Sequence, residues 1–245
     1  MAATGYIGEV IEASTTQFTA ESRELYSPPP FGSFVKIPWK IEQAPEALPQ
    51  TSPASQDDKD PFMEPFLDRA GSFSADYRTA VHGEPEEVCN LQPAIYAIVH
   101  EASTSPADSS RRIRAYWKDE DQLDREHPEI SEWMLVTHFK AVVIGYSAGG
   151  AVNQILPPQP PKILSHVYPC STEEVRIITK KLDFLRTLTG IGSMPAEEVI
   201  AASIREACAA RNNSFDYLVS AGRELANLLK DDYDRLQAII RRVQL

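Results

Sequence analysis

The sequence predicts an α+β chain in which a small β-barrel is followed by a C-terminal helical appendage of about four helices. Three observations predict it. Val10-Ile11-Glu12-Ala13-Ser14-Thr15 is echoed by Val99-His100-Glu101-Ala102-Ser103-Thr104, identical at five of six positions and 89 residues on, and each copy ends a short apolar run. Prolines cluster at 28–30, 45–65, 85–93 and 157–169, marking corners between such runs. From Ser171 the apolar period changes from strand-like to helical. The expected division is a barrel from 1–40 and 93–170, an insertion over 41–92, and a helical region over 171–245.

Strands are expected first at Ile7–Ala13, Gln17–Ala20 and Phe34–Trp39, separated by Ser14-Thr15-Thr16 and by Ser27 with Pro28–Pro30. Stepping back by two from Val10 gives Gly8 and Tyr6, and from Val99 it gives Ala97 and Ile95. One face of each strand therefore carries a bulky residue, a small one and a valine. Both copies are expected to end in the same Ser-Thr turn. Residues 41–92 are rich in proline, serine, glutamine and acid, too polar to bury much surface, and read as a long, partly disordered excursion. Within it Phe62, Met63, Phe66 and Leu67 have the spacing of a short amphipathic helix.

Strands resume at Ile95–Ala102 and Ile113–Trp117, followed by a polar helical or irregular stretch over 119–133. Trp133–Val136 leads into a central strand, His138–Tyr146. Pro157–Pro161 forces an extended crossing before a strand at Ile163–Tyr168. Ser171-Thr172-Glu173-Glu174 is a capping-box signature opening a helix whose stripe is Val175, Ile178, Leu182, Leu185 and Leu188. Pro195 opens a second helix with Val199, Ile200, Ile204 and Ala207. Phe215–Leu229 and Asp232–Val243 give two more.

The net charge of −11 lies in the first 170 residues, which hold 13 Lys+Arg against 24 Asp+Glu; the remainder is balanced. That sign opposes the counterion release on which non-specific nucleic-acid binding depends, so no direct nucleic-acid contact is expected; only Arg111-Arg112-Ile113-Arg114 or Arg241-Arg242 could touch phosphate, and these read as solvated arginines. Cysteines 89, 170 and 208 form no close pair and suit free thiols in a reducing cytoplasm. No leader and no membrane-spanning run is expected.

Gly145-Tyr146-Ser147-Ala148-Gly149 follows an apolar strand and matches the G-x-S-x-G elbow of serine hydrolases, which makes Ser147 the one candidate nucleophile. The context departs from that pattern, because Pro157-Pro158 follows in place of a helix and only His166 lies downstream. A glycine turn closing a hairpin explains the motif without catalysis. No glycine is followed by lysine, so no Walker A loop exists. Histidines 82, 100, 127, 138 and 166 lack ligand spacing, and His100 and Glu101 should face opposite sides of a strand. Glu86-Glu87 and Glu197-Glu198 fall in a loop and in a first helical turn. No catalytic, cofactor-binding or metal residue is assigned, and no cofactor is expected.

With these segments in view, the chain resembles the HAS-barrel, the small N-terminal barrel of HerA-type DNA-translocating ATPases. The likeness is carried by Gly5–Ala20, Pro29–Lys36, Tyr96–Ala102, Thr137–Gly145 and Pro160–Glu174. The resemblance implies a barrel that organises assembly and has no active-site residues of its own. A HerA-type chain would continue into an ATPase domain; here about 70 helical residues follow instead. The expected function is therefore a non-enzymatic assembly or adaptor protein, partnered by copies of itself or by a larger protein such as a HerA-type ATPase. Val175, Leu182, Leu185, Tyr233, Leu236 and Ile240 are its candidate packing or interface residues. The alternative is a serine hydrolase using Ser147.

Overall fold

The computed structural model describes residues 5–39, 91–108, 110, 113–192 and 195–243. The expected insertion and its Phe62–Leu67 helix lie outside the described residues, apart from 91 and 92. Seven strands form: β1 (Gly8–Ala13), β2 (Gln17–Ser22), β3 (Phe34–Pro38), β4 (Ala94–Pro106), β5 (Leu135–Ala148), β6 (Ala151–Asn153) and β7 (His166–Pro169). The hydrogen-bonded order β2-β1-β7-β3-β4-β5 closes on itself through β2–β5, giving a six-stranded antiparallel barrel, and β6 is a hairpin extension of β5. The interior holds Val10, Phe18, Ala20, Val35, Ile37, Ile95, Ala97, Val99, Phe139, Ala141, Val143 and Val167. Gly8 and Val10 of β1 and Ile95, Ala97 and Val99 of β4 are buried at every second position, as the pleat requires.

The echo marks a real internal relation. Exchanging β1, β2 and β3 with β4, β5 and β7 leaves the pairing scheme unchanged. Val10 pairs with Ala20 as Val99 pairs with Ala141, and Ala13 pairs with Phe18 as Ala102 pairs with Phe139. Each copy carries a bulge at the same place, between Val10 and Glu12 and between Val99 and Glu101, so Ile11 and His100 are the extra residues. On the axis, Phe18 pairs with Ala141 and Ala20 with Phe139, on either side of Thr19 and Lys140. The turns into β3 and β7 also correspond. Ser33 N–H donates to Pro30 and Ser165 N–H to Lys162, while Val99 N–H donates to Ser33 and Val10 N–H to Ser165. Gly32 (φ +83°) and Leu164 (φ +66°) take the positive φ that the third residue of such a turn demands. Four equivalent pairs in the interior are the same residue twice: Val10/Val99, Phe18/Phe139, Ala20/Ala141 and Val35/Val167.

Helices follow the barrel. Before them, α1 (Glu120–Glu126) and a π-helical turn (Ile130–Met134) lie in the β4–β5 connection. After β7 come α2 (Thr172–Ile178), α3 (Phe184–Thr189), α4 (Ala196–Ala209), α5 (Phe215–Leu228) and α6 (Tyr233–Val243). Their apolar faces share one core with Phe34, Ala94, Tyr96, Ile98, Val142 and Ile144 on the outside of β3, β4 and β5. The residues β4 contributes over Ala94–His100 are thus all buried, one face in the barrel and the other under helices. The internal two-fold explains why only one side is covered. The neighbouring trio Phe34, Ile98 and Val142 corresponds to His166, Glu9 and Glu21, and polar side chains give a helix nothing to dock on.

Several expectations are corrected. Ile113–Trp117 is no strand: its residues are exposed and join no ladder among the described residues, so nothing holds them extended. The last strand begins at His166, because 162–165 form the turn. Ser103-Thr104 does not turn; β4 runs on to Pro106 because β5 is long enough to pair with it, and the Thr104 and Thr137 hydroxyls bond at 2.8 Å. Tyr6 precedes β1 and stacks outside the barrel on His166. The stripe from Val175 to Leu188 spans two short helices, not one, so five helices stand after Ser171 among the described residues where about four were expected.

Candidate protein interface

Ser147 lies near the end of β5, fully buried. Its hydroxyl donates to the Gln92 carbonyl at 2.7 Å and accepts from the Ala94 N–H at 3.0 Å, with the Tyr96 hydroxyl 3.4 Å away. Burial pushes the Tyr96 phenol up to about 12, so it stays protonated beside Ser147. The surrounding glycines serve the β5–β6 hairpin. Gly149 (φ +60°) and Gly150 (φ +80°) form its two-residue turn, and a Cβ on Gly145 would fall 2.4 Å from the Asn153 carbonyl. A strand follows the turn, where a nucleophile elbow needs a helix. His166 is engaged elsewhere, 3.2 Å from Glu9 and stacked on Tyr6 at a ring separation of 4.3 Å. The hydroxyl thus bonds backbone, and among the described residues no imidazole is a hydrogen-bond partner.

The other residues singled out above are scattered. His100 and Glu101 do face different surroundings. His100 is buried on its bulge with Nε2 unpartnered, and burial lowers its pKa; Glu101 meets Lys140 at 3.0 Å in solvent. His127 contacts Glu129 and His138 contacts Glu21, both near the surface. Glu197 and Glu198, in the first turn of α4, pair with Arg235 and Arg242 of α6 and fix how the two helices lie. Cys170 is half-buried and Cys208 buried, both free. Among the described residues, no three His, Cys, Asp or Glu side chains converge as a metal would require, and no helix is long and apolar enough to cross a membrane. His82, Glu86, Glu87, Cys89, Arg111 and Arg112 lie outside the described residues.

Of the six candidate packing residues, Val175, Leu185 and Leu236 are buried and Leu182 packs against the same core. Tyr233 and Ile240 are not. They are 66% and 42% exposed, and seven residues apart they share one edge of α6, beside the buried row. The inner face needs only Leu236, Ile239 and Val243 against the core, which leaves this second, shorter apolar row uncovered. Phe215, opening α5, is likewise exposed. No protein family and no curated protein matches this chain. Its reading therefore rests on geometry.

Two residues that sequence reasoning passed over hold the helical layer together. Gln154, just after β6, donates through Nε2 to the carbonyls of Ile178 (2.6 Å) and Lys181 (2.8 Å) and accepts the Phe184 N–H at 2.7 Å. Its amide fills the break between α2 and α3, supplying partners that helix ends lack. Arg211 donates to the Thr179 hydroxyl and to the Ala207 and Arg176 carbonyls, with its guanidinium 4.2 Å over the Tyr217 ring. Neither belongs to a spacing pattern, since each reaches groups far along the chain. At the start of α2 the expected capping box is present: Ser171 and Glu174 bond reciprocally, and Lys36 of β3 reaches Glu174. Burial raises the Glu174 carboxyl, and its bonds to Lys36 and Ser171 outweigh this and leave it below the usual range.

Proposed function

We propose that this chain is a non-enzymatic assembly or adaptor protein built on a barrel of the HAS type, acting through the exposed edge of α6 that carries Tyr233 and Ile240. The supporting observation is the pair Tyr233 and Ile240, apolar side chains left over after α6 has packed. The closed ring pairs the edges of its six strands, so recognition falls to loops and helices. The occupant is a second copy of the chain or a larger protein such as a HerA-type ATPase. Free Cys170 and Cys208 suit the reducing cytoplasm.

Light scattering on the purified protein tests the reading. A defined multimer that dissociates in Tyr233→Asp/Ile240→Asp is the expected result. A multimer indifferent to these changes places the contact elsewhere, and a strict monomer removes self-assembly and leaves a foreign partner. Fluorophosphonate labelling that disappears in Ser147→Ala would restore the hydrolase and defeat the adaptor.

A further inference from the structure

The internal two-fold relates the two turns that enter β3 and β7. Gly32 N–H donates to the Val99 carbonyl as Leu164 N–H donates to the Val10 carbonyl, so the turns occupy equivalent places on the barrel. Their surroundings differ. The Gly32 turn is covered by α4, whose Ala202 lies so close that a Cβ on Gly32 would fall 2.3 Å from its own. The second turn has no such cover: Ile163 and Leu164 are 61% and 69% exposed.

Leu164 is the more telling of the pair. It holds φ +66°, where glycine is at ease and leucine is strained, and its side chain belongs to neither core. Strain that folding does not use points to a use outside folding. The crossing that leads to it has the same character. Residues 155–164 carry one charge, Lys162, and Ile155 and Leu156 are exposed near its start, while Pro157 and Pro161 are buried and anchor it. A single exposed aliphatic side chain is ordinary, but four on one nearly uncharged crossing mark an interaction surface.

We propose that this turn is the counterpart of α6: the Tyr233–Ile240 edge of a second copy of the chain docks on Ile163 and Leu164. The inference rests on the α6 reading above and names the surface that α6 meets. Two observations select this occupant. Within the chain a helix already covers the equivalent turn, and leucine in place of glycine holds a visiting helix farther off while giving it an apolar knob to pack against. The charges beside the two apolar pairs are also opposite. Arg241, next to Ile240, is exposed and bonds Gln237 and no carboxylate among the described residues. Glu12, two residues along β1 from the carbonyl that receives Leu164, is exposed and bonds the Thr19 hydroxyl and no cation among the described residues. Docking between unlike surfaces joins copies head to tail.

Analytical ultracentrifugation of the full chain tests this with two variants, Tyr233→Asp/Ile240→Asp and Ile163→Asp/Leu164→Gly. Each alone is expected to be monomeric. An equimolar mixture is expected to form a one-to-one dimer, because each variant supplies the surface that the other lacks. Leu164→Gly by itself should raise the dissociation constant roughly tenfold. In dilute solution it should melt no lower than the parent chain, which separates loss of contact from loss of fold. A turn variant that stays multimeric while the α6 variant dissociates would overturn this inference and leave the α6 reading standing. An α6 variant that stays multimeric would overturn both. Monomeric variants that fail to pair on mixing would overturn the head-to-tail contact, and a monomeric parent chain would overturn it and leave a foreign partner for α6.

Discussion

His100 is an imidazole held in the barrel wall with Nε2 lacking any partner, at the one position where the two copies of the echo differ. Burial is the largest influence on it and lowers its pKa below the ordinary 6.5, with Lys140 adding in the same direction and Glu101 opposing. The unfolded chain therefore takes up the proton first. Stability is full above pH 6.5 and is lost as pH falls from there through the depressed folded-state value. His100→Ile copies the residue at the equivalent bulge, Ile11, and should flatten this slope. Urea midpoints measured from pH 7.5 down to pH 5.5 check it; an unchanged slope would mean the imidazole is not the source. Leu164 offers a second residue-scale prediction. It holds φ +66° with its side chain 69% exposed, whereas Gly32 at the matching turn has no such strain. Leu164→Gly should raise stability by about 0.5–1 kcal/mol. Gly32→Ala should lower it, because the new Cβ would also fall 2.3 Å from the Cβ of Ala202 on α4.

Among the elements, the α2–α3 break is the most demanding. Gln154→Ala would strip two carbonyls and one N–H of their partners at a partly buried site, a loss of roughly 2–4 kcal/mol, read from chemical denaturation. Gln154→Glu keeps the acceptor for Phe184 and loses the two donors, so an intermediate loss is expected. This break is also where the sequence was hardest to read. Val175, Ile178, Leu182, Leu185 and Leu188 keep helical spacing across it, and what interrupts them comes from Gln154 on the far side of β7. The strands were more legible. Alternation placed Val10, Val99, Ala97 and Ile95 on the inner face, and Gly149-Gly150 announced its own turn, because those signals are local. The bulges were hidden, since a bulge is a relation between strands. The Ser-Thr corner misled for the same reason: Ser14 and Ser103 occupy equivalent sites, and only the longer partner strand carries the second copy onward. Tyr233 and Ile240 could be named from the period of α6, but not told apart from the buried row without knowing which face α4 covers.

At the scale of the molecule, barrel and helices share β3, β4 and β5, whose inner faces fill one core and outer faces the other. Neither side can open without exposing the other's apolar surface. Urea unfolding followed by tryptophan fluorescence and by far-ultraviolet circular dichroism should therefore give superimposable transitions. Two midpoints would show that the helical layer melts independently. The internal two-fold has one further consequence. Phe18 and Phe139 sit in matched surroundings around one axis, so the same truncation to leucine made at each poses a single steric question twice within one chain. Any gap between the two responses measures what the lopsided cover of helices contributes through the wall, with the sibling site serving as its own reference.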